Sequence, residues 1–291
     1  MPRIPSTDGI TLAVHDLGGG QGPSGPLSGE QRPPVLMCHA TGIHGMVWQP
    51  FAAALADAFH CWSIDFRGHG DSSSPDIEYA WEGFADDVLA VVDGLGIERP
   101  FAVGHSKGGA SLLLAEERRP GTFRAMWLYE PVVFAGVEGA YVRPEGEENP
   151  LAEGARRRRE VFPSHEAAYE NFAAKPPLNV LRPDALRAYV EHGFGLQDDG
   201  SVLIKCRGER EAQVYSMASQ HHAFDSLGLV RCPVVVARGR LEPGPAMVAE
   251  AVADELPGGR LEVYDHLGHF APLEAPDEMA AAARALFLSS A

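Results

Sequence analysis

Apolar residues along this chain fall into short runs that alternate with longer stretches of helical spacing. Residues 10–15, 35–38, 62–65, 101–104, 126–129, 234–237 and 261–264 are short runs of β-branched or otherwise apolar residues, and they predict strands. Between them, residues 51–59, 84–95, 109–118, 246–256 and 276–288 have helical spacing or helix-rich composition. Apolar strands separated by helices predict an α/β fold, with a mainly parallel sheet covered by helices on both faces.

The alternation breaks once. From 129 to 234 no stretch has a strong strand pattern, and a single crossover helix needs far fewer residues. Helical pieces at 151–161, 167–173 and 184–194 are broken by Pro144, Pro150, Pro163, Pro176, Pro177 and Pro183. The pattern predicts a core formed by 1–135 and 227–291, with residues 136–226 inserted between strands six and seven as a helical cap. Residues 18–34, rich in Gly and Pro, predict a loop between early strands.

Composition narrows the function classes. Hydrophobic residues make up 45% and charged residues 22%, the balance of a soluble globular chain. No apolar run approaches the roughly 18 residues of a membrane span. The start, Met-Pro-Arg-Ile-Pro, lacks the apolar segment of a signal peptide, so a cytoplasmic location is expected. With 24 Lys+Arg against 40 Asp+Glu the net charge is −16, which repels nucleic-acid backbones and anionic membranes, so neither is an expected partner. Cys38, Cys61, Cys206 and Cys232 form no C-x-x-C pair and read as buried thiols.

The candidate chemistry sits where strands end. Gly104-His105-Ser106-Lys107-Gly108 follows an apolar strand and opens a helix, the context in which G-x-S-x-G lifts a serine onto a sharp turn. The helix N-terminus behind that turn favours a developing oxyanion. A serine nucleophile needs a base, and His269, just after the last strand, lies at the sheet edge where α/β sites assemble. The imidazole needs an acid to fix its tautomer. Glu242, in the loop after the strand at 234–237, is favoured, with Glu130 at the end of the preceding strand as the alternative.

Other patterns carry less. Gly20-Gln21-Gly22-Pro23-Ser24-Gly25 matches G-x-G-x-x-G, but the prolines that follow leave no helix to meet a pyrophosphate. His266 with His269, and the adjacent His221 and His222, lack a supporting acidic or thiolate cluster, so neither metal nor cofactor is expected. The four arginines at 156–159 read as a solvated helix face paired with Glu147, Glu148 and Glu160. A weaker reading has one of them meet an anionic substrate. The aromatics Phe162, Tyr169, Phe172, Tyr189, Phe194 and Tyr215 read mostly as core, with one or two lining a pocket.

Taken together, these motifs resemble the α/β-hydrolase superfamily, in its capped epoxide-hydrolase-like subgroup. The likeness runs over essentially the full length. It rests on His39-Ala40-Thr41-Gly42 with Trp48, on Asp65-Phe66-Arg67-Gly68-His69-Gly70-Asp71-Ser72, on the Ser106 turn, on Glu242-Pro243, and on His269-Phe270 with Pro272 and Glu274. The resemblance implies an eight-stranded sheet, a helical cap and an oxyanion hole of two backbone N–H groups, those of Lys107 and of Thr41 (or Ala40). Relatives with an aspartate nucleophile carry out different chemistry, and position 106 is serine. Two departures stand out. Alanine replaces the usual glycine at position 40, and lysine replaces the usual apolar residue at 107, where it could pair with Glu130 or Asp65. The resemblance therefore implies a serine hydrolase of a carboxylic ester, lactone or related acyl substrate. A non-turnover binding protein and a cofactor-free perhydrolase are the alternatives.

Overall fold

Strand and helix alternate along most of the chain. In the computed structural model, which describes residues 1–18, 32–75, 77–140 and 147–290, the chain begins with β1 (Arg3–Pro5), β2 (Thr11–Asp16) and β3 (Pro34–Cys38). It continues through α1 (Gln49–Leu55), β4 (His60–Ile64), α2 (Trp81–Leu95), β5 (Phe101–His105), α3 (Lys107–Arg118) and β6 (Met126–Tyr129). The long connection that follows carries α4 (Pro150–Arg157), β7 (Val161–Phe162), α5 (His165–Ala173), α6 (Pro183–Gly193), β8 (Phe194–Leu196), β9 (Val202–Ile204) and α7 (Gly208–Ser216). The chain closes with β10 (Val234–Arg238), α8 (Ala249–Glu255), β11 (Gly259–Val263), α9 (Ala271–Glu274) and α10 (Pro276–Ser289).

Eight strands form one sheet in the order β1-β2-β4-β3-β5-β6-β10-β11. Pairing is antiparallel at the β1–β2–β4 edge and parallel from β4 to β11. The central strands are apolar throughout because both faces are covered, and successive side chains go to opposite sides. Met126, Leu128, Val234 and Val236 join the core under α2, α3 and α8, whereas Trp127, Tyr129, Val235 and Ala237 join the core under α1 and α10. All four cysteines are free and buried. Among the described residues no helix is long and apolar enough to cross a membrane.

Two expectations need correction. The connection between β6 and β10 is not purely helical, because β7, β9 and β8 form a small antiparallel sheet. Residues 151–161 and 184–194 therefore do not remain helical to their ends: α4 stops at Arg157, and Phe194 opens β8. Strands of two or three residues are too short to show a period-2 pattern. For β1 the same brevity applies. The Gly20–Gly25 match to a dinucleotide fingerprint lies outside the described residues.

Candidate active site

Ser106 stands between β5 and α3 with φ 54° and ψ −115°, backbone angles that an L-residue adopts only under constraint. The constraint is visible on both sides. The Ser106 N–H donates to the Tyr129 carbonyl (2.9 Å), and its own carbonyl accepts from Gly109, Ala110 and Val132. The flanking glycines permit the close packing: a Cβ on Gly104 would meet Gly109, and one on Gly108 would run into the Cys38 carbonyl. Ser106 itself is 6% exposed and its Oγ makes no hydrogen bond among the described residues.

His269 reaches the same edge from the loop between β11 and α9. Its Nδ1 lies 2.5 Å from Glu130 Oε2. Three contacts hold the loop: Tyr129 Oη donates to the Gly268 carbonyl (2.8 Å), Arg240 N–H to the Leu267 carbonyl (2.9 Å), and His105 Nε2 to the His269 carbonyl (2.8 Å). Burial holds His105 well below the usual imidazole range, so it stays neutral, and its ring stacks at a tilt 4.8 Å from that of His269. His105 was not singled out from the sequence. As the second residue of G-x-S it lay within the motif, but strand alternation alone does not say which backbone carbonyl its ring meets.

The carboxylate on the imidazole is thus Glu130, and the preference for Glu242 is overturned. Glu130 is 2% exposed and sits at the end of β6 with φ 43°. Its Oε1 accepts from the Gly239 N–H at 2.9 Å, so both carboxylate oxygens are engaged. Glu242 is exposed, pairs with Arg240 Nε at 3.1 Å, and only lines the mouth of a small cleft shared with Glu130 and His269. What the loop after β10 supplies to the acid is the backbone of Gly239. A side chain on that residue would collide with Tyr129 Oη and the Leu267 carbonyl.

The chain leaving β3 passes α3 at the Cys38 and His39 carbonyls, which a Cβ on Gly108 would meet, and continues into Ala40 and Thr41. The positive φ falls on Gly42 (78°), so Ala40 carries no such strain. Among the described residues the backbone N–H groups of Thr41 and Lys107 have no acceptor, and Lys107 is the first residue of α3. Asp65 buttresses this loop: it accepts from the N–H of Gly45 (2.6 Å) and Asp71 (2.8 Å) and lies 2.9 Å from His15 Nε2. His39 Nε2 accepts the Phe66 N–H at 3.1 Å, and its Nδ1 donates to the Ala40 carbonyl at 2.7 Å. The 65–72 motif is therefore a brace for the 39–45 loop.

Lys107 pairs with neither Glu130 nor Asp65. Its side chain is 1% exposed, and Nζ lies 4.3 Å from the Phe66 ring centroid and 4.8 Å from that of Phe84. Among the described residues it has no hydrogen-bond partner, and burial lowers its pKa to about 7. The arginine run also divides. Arg156 pairs with Glu148 and Glu209, Arg157 with Glu153, and Arg159 lies over Phe162. Arg158, by contrast, turns inward to Glu211 at 2.6 Å, whereas Glu160 pairs with Arg207. Of the aromatics in the insertion, Phe162, Tyr189 and Phe194 are buried in one cluster. His266 pairs with Glu278 (3.2 Å), and among the described residues no group of three or more His, Cys, Asp or Glu could hold a metal.

Comparison with known proteins identifies the fold and the family. The chain is 31% identical over 117 residues to a 2-(acetamidomethylene)succinate hydrolase of Mesorhizobium japonicum, a match covering 40% of this chain and 38% of that protein. It is 29% identical over 207 residues to strigolactone esterase D14 of Arabidopsis thaliana, covering 68% of this chain and 69% of that one. The chain thus spans well under half the length of the first relative. Among solved structures, E-2-(acetamidomethylene)succinate hydrolase superposes with a TM-score of 0.75 at 21% identity over 98% of each chain. The enol-lactonase of Burkholderia xenovorans LB400 gives 0.71 at 19%, over 99% and 100%. These likenesses describe the fold. Residues 35–282 match the Alpha/beta hydrolase family, from the second residue of β3 to the middle of α10, and the chain belongs to that family.

Proposed function

We propose that this protein is a serine hydrolase that cleaves a carboxylic ester, lactone or related acyl compound through an acyl-enzyme. One observation carries the reading: the 2.5 Å contact between His269 Nδ1 and the buried Glu130, beside a serine held at positive φ on a strand-to-helix turn. Relatives named as a hydrolase and an esterase, with a structural neighbour named as an enol-lactonase, agree with it.

The chemistry follows from the protons. Glu130 keeps the Nδ1–H of His269 on its own side, which leaves the Nε2 lone pair free to take the Ser106 hydroxyl proton as Oγ attacks the carbonyl. The N–H groups of Lys107 and Thr41 receive the oxyanion, aided by the N-terminus of α3. His269 then protonates the leaving group, and water repeats the cycle to release the acid. His105 and Tyr129 act through His269, fixing the loop that carries it.

Labelling with a fluorophosphonate probe, followed by peptide mapping, tests the assignment. Modification confined to Ser106, with p-nitrophenyl ester turnover abolished in Ser106→Ala, is the expected result. A folded protein that hydrolyses esters equally well as Ser106→Ala would overturn it.

A further inference from the structure

Behind the serine turn lies a set of buried polar atoms that the acyl chemistry does not use. Among the described residues Lys107 Nζ has no hydrogen-bond partner, nor have His69 Nε2 and Arg158 Nε, and all three atoms are buried. They converge on the loop after β3: Lys107 Nζ lies over Phe66, whose N–H bonds His39, and the His69 ring packs 5.1 Å from that of His39. Arg158 comes from the insertion, its Nη1 on Glu211 and its Nη2 on the Cys206 carbonyl. Glu211 in turn lies against Gly42, in the loop that carries Thr41. The cluster therefore spans the insertion and the core beside the serine turn.

The groups facing Lys107 do not neutralise it. Asp65 is taken by Gly45, Asp71 and His15, and Asp87 by Arg67 and Ser6. His39 and His69 are held neutral by burial, as are the thiols Cys38 and Cys206. Formally, Lys107 and Arg158 contribute two positive charges and Glu211 one negative charge, which leaves one positive charge to be matched. An unmatched buried cation is expensive unless it gives up its proton or something completes it.

We propose that Lys107 and Arg158 form a subsite for a carboxylate group of the substrate, so that the preferred acyl compound is a monoanion with its reacting carbonyl at Ser106. This rests on the serine-hydrolase reading. A carboxylate brings one negative charge and accepts from Lys107 Nζ and Arg158 Nε together, closing both the charge and the hydrogen-bond deficit. A neutral ester offers neither. The lowered pKa of Lys107 adds a signature: the amine is divided between its two forms near neutrality, so carboxylate binding draws a proton onto it.

The test compares p-nitrophenyl hemisuccinate with p-nitrophenyl butyrate, an acyl chain of equal length without the charge. Carboxymethyl butyrate against ethyl butyrate asks the same of the alcohol half. We expect kcat/KM for one charged ester to exceed that of its neutral counterpart by about 10–100-fold, the range of one or two charge-assisted hydrogen bonds. In Lys107→Met that ratio falls at least about tenfold, and in Arg158→Lys it falls less. Using a ratio cancels any general loss of turnover in the variants. Calorimetry on Ser106→Ala, with monomethyl succinate against dimethyl succinate, reads the subsite without turnover. Monomethyl succinate is expected to bind more tightly, with proton uptake and with affinity that falls as pH rises above about 7. Ratios near one for both ester pairs in the wild type, or ratios unchanged in both variants, overturn the proposal. If Ser106 fails to label and no ester is cleaved, the hydrolase reading fails instead, and the calorimetry still decides the subsite.

Discussion

The two sides of the serine turn treat buried charge in opposite ways. On the His269 side, each oxygen of Glu130 has a donor, from His269 and from Gly239. On the Lys107 side, an amine just as deeply buried has two phenyl rings and, among the described residues, no hydrogen-bond acceptor. A charge that is fully hydrogen-bonded at the native geometry fixes that geometry. One left without a partner lowers stability. Arg67 shows that the fold can satisfy a buried cation when only structure is at stake: it is 2% exposed and reaches Asp87, Asp8 and Thr7.

The largest effect is expected from breaking the satisfied side. Glu130→Gln keeps the shape and still accepts from Gly239, but its amide donates to His269 Nδ1 and drives the imidazole into the wrong tautomer. Nε2 then carries the proton and cannot act as base. We expect kcat on a p-nitrophenyl ester to fall about 10³–10⁴-fold, with little change in the melting temperature. A loss under tenfold would remove Glu130 from the acid role.

Much of this architecture is legible in the sequence, and the exceptions share a cause. Central strands and flanking helices follow from apolar runs and spacing, and Ser106 and His269 follow from strand ends and motif context. The same reasoning favours Glu242 over Glu130 and so picks the carboxylate that does not reach His269, since both sit just beyond strand ends. What separates them is a backbone detail. Glu130 turns at φ 43° straight after β6 and stays buried, whereas the loop after β10 carries Glu242 out to solvent beside Arg240. The inward turn of the half-buried Arg158 is hidden for a similar reason. Its three arginine neighbours make surface contacts, and nothing local says that one of four faces inward.

Next in size is Arg67→Met, which leaves Asp87 buried without its guanidinium, with Ser6 and a backbone N–H as its remaining donors. Removing one member of a buried pair typically costs about 3–5 kcal/mol, and urea unfolding should show a loss of that order. Lys107→Met should act in the opposite direction. The folded amine has its pKa lowered from 10.5 to about 7, so between those values the unfolded chain binds more protons and stability rises with pH. Methionine fills the space between Phe66 and Phe84 without a charge to bury. We expect a gain of roughly 2–4 kcal/mol at pH 7, using about 1.4 kcal/mol per pKa unit less the lost contact with the rings. The gain should shrink toward zero as pH approaches 10. A variant that is less stable than the wild type at pH 7 would mean that Lys107 is satisfied after all, and the contrast between the two sides would be lost.

The smallest effect should come from Glu242→Gln, and its smallness is informative. Glu242 is more than half exposed and its partner Arg240 nearly so, a setting in which an ion pair contributes little after screening and side-chain entropy. Arg240 also keeps its contact with the His266 carbonyl, which does not depend on the carboxylate. We therefore expect kcat within about twofold of the wild type and stability within roughly 0.5 kcal/mol. The comparison is sharpest in the double variant Glu130→Gln/Glu242→Gln, which should be no slower than Glu130→Gln alone. If the second substitution removed a further tenfold, Glu242 would be able to replace Glu130 at the imidazole, through movement of the loop after β10.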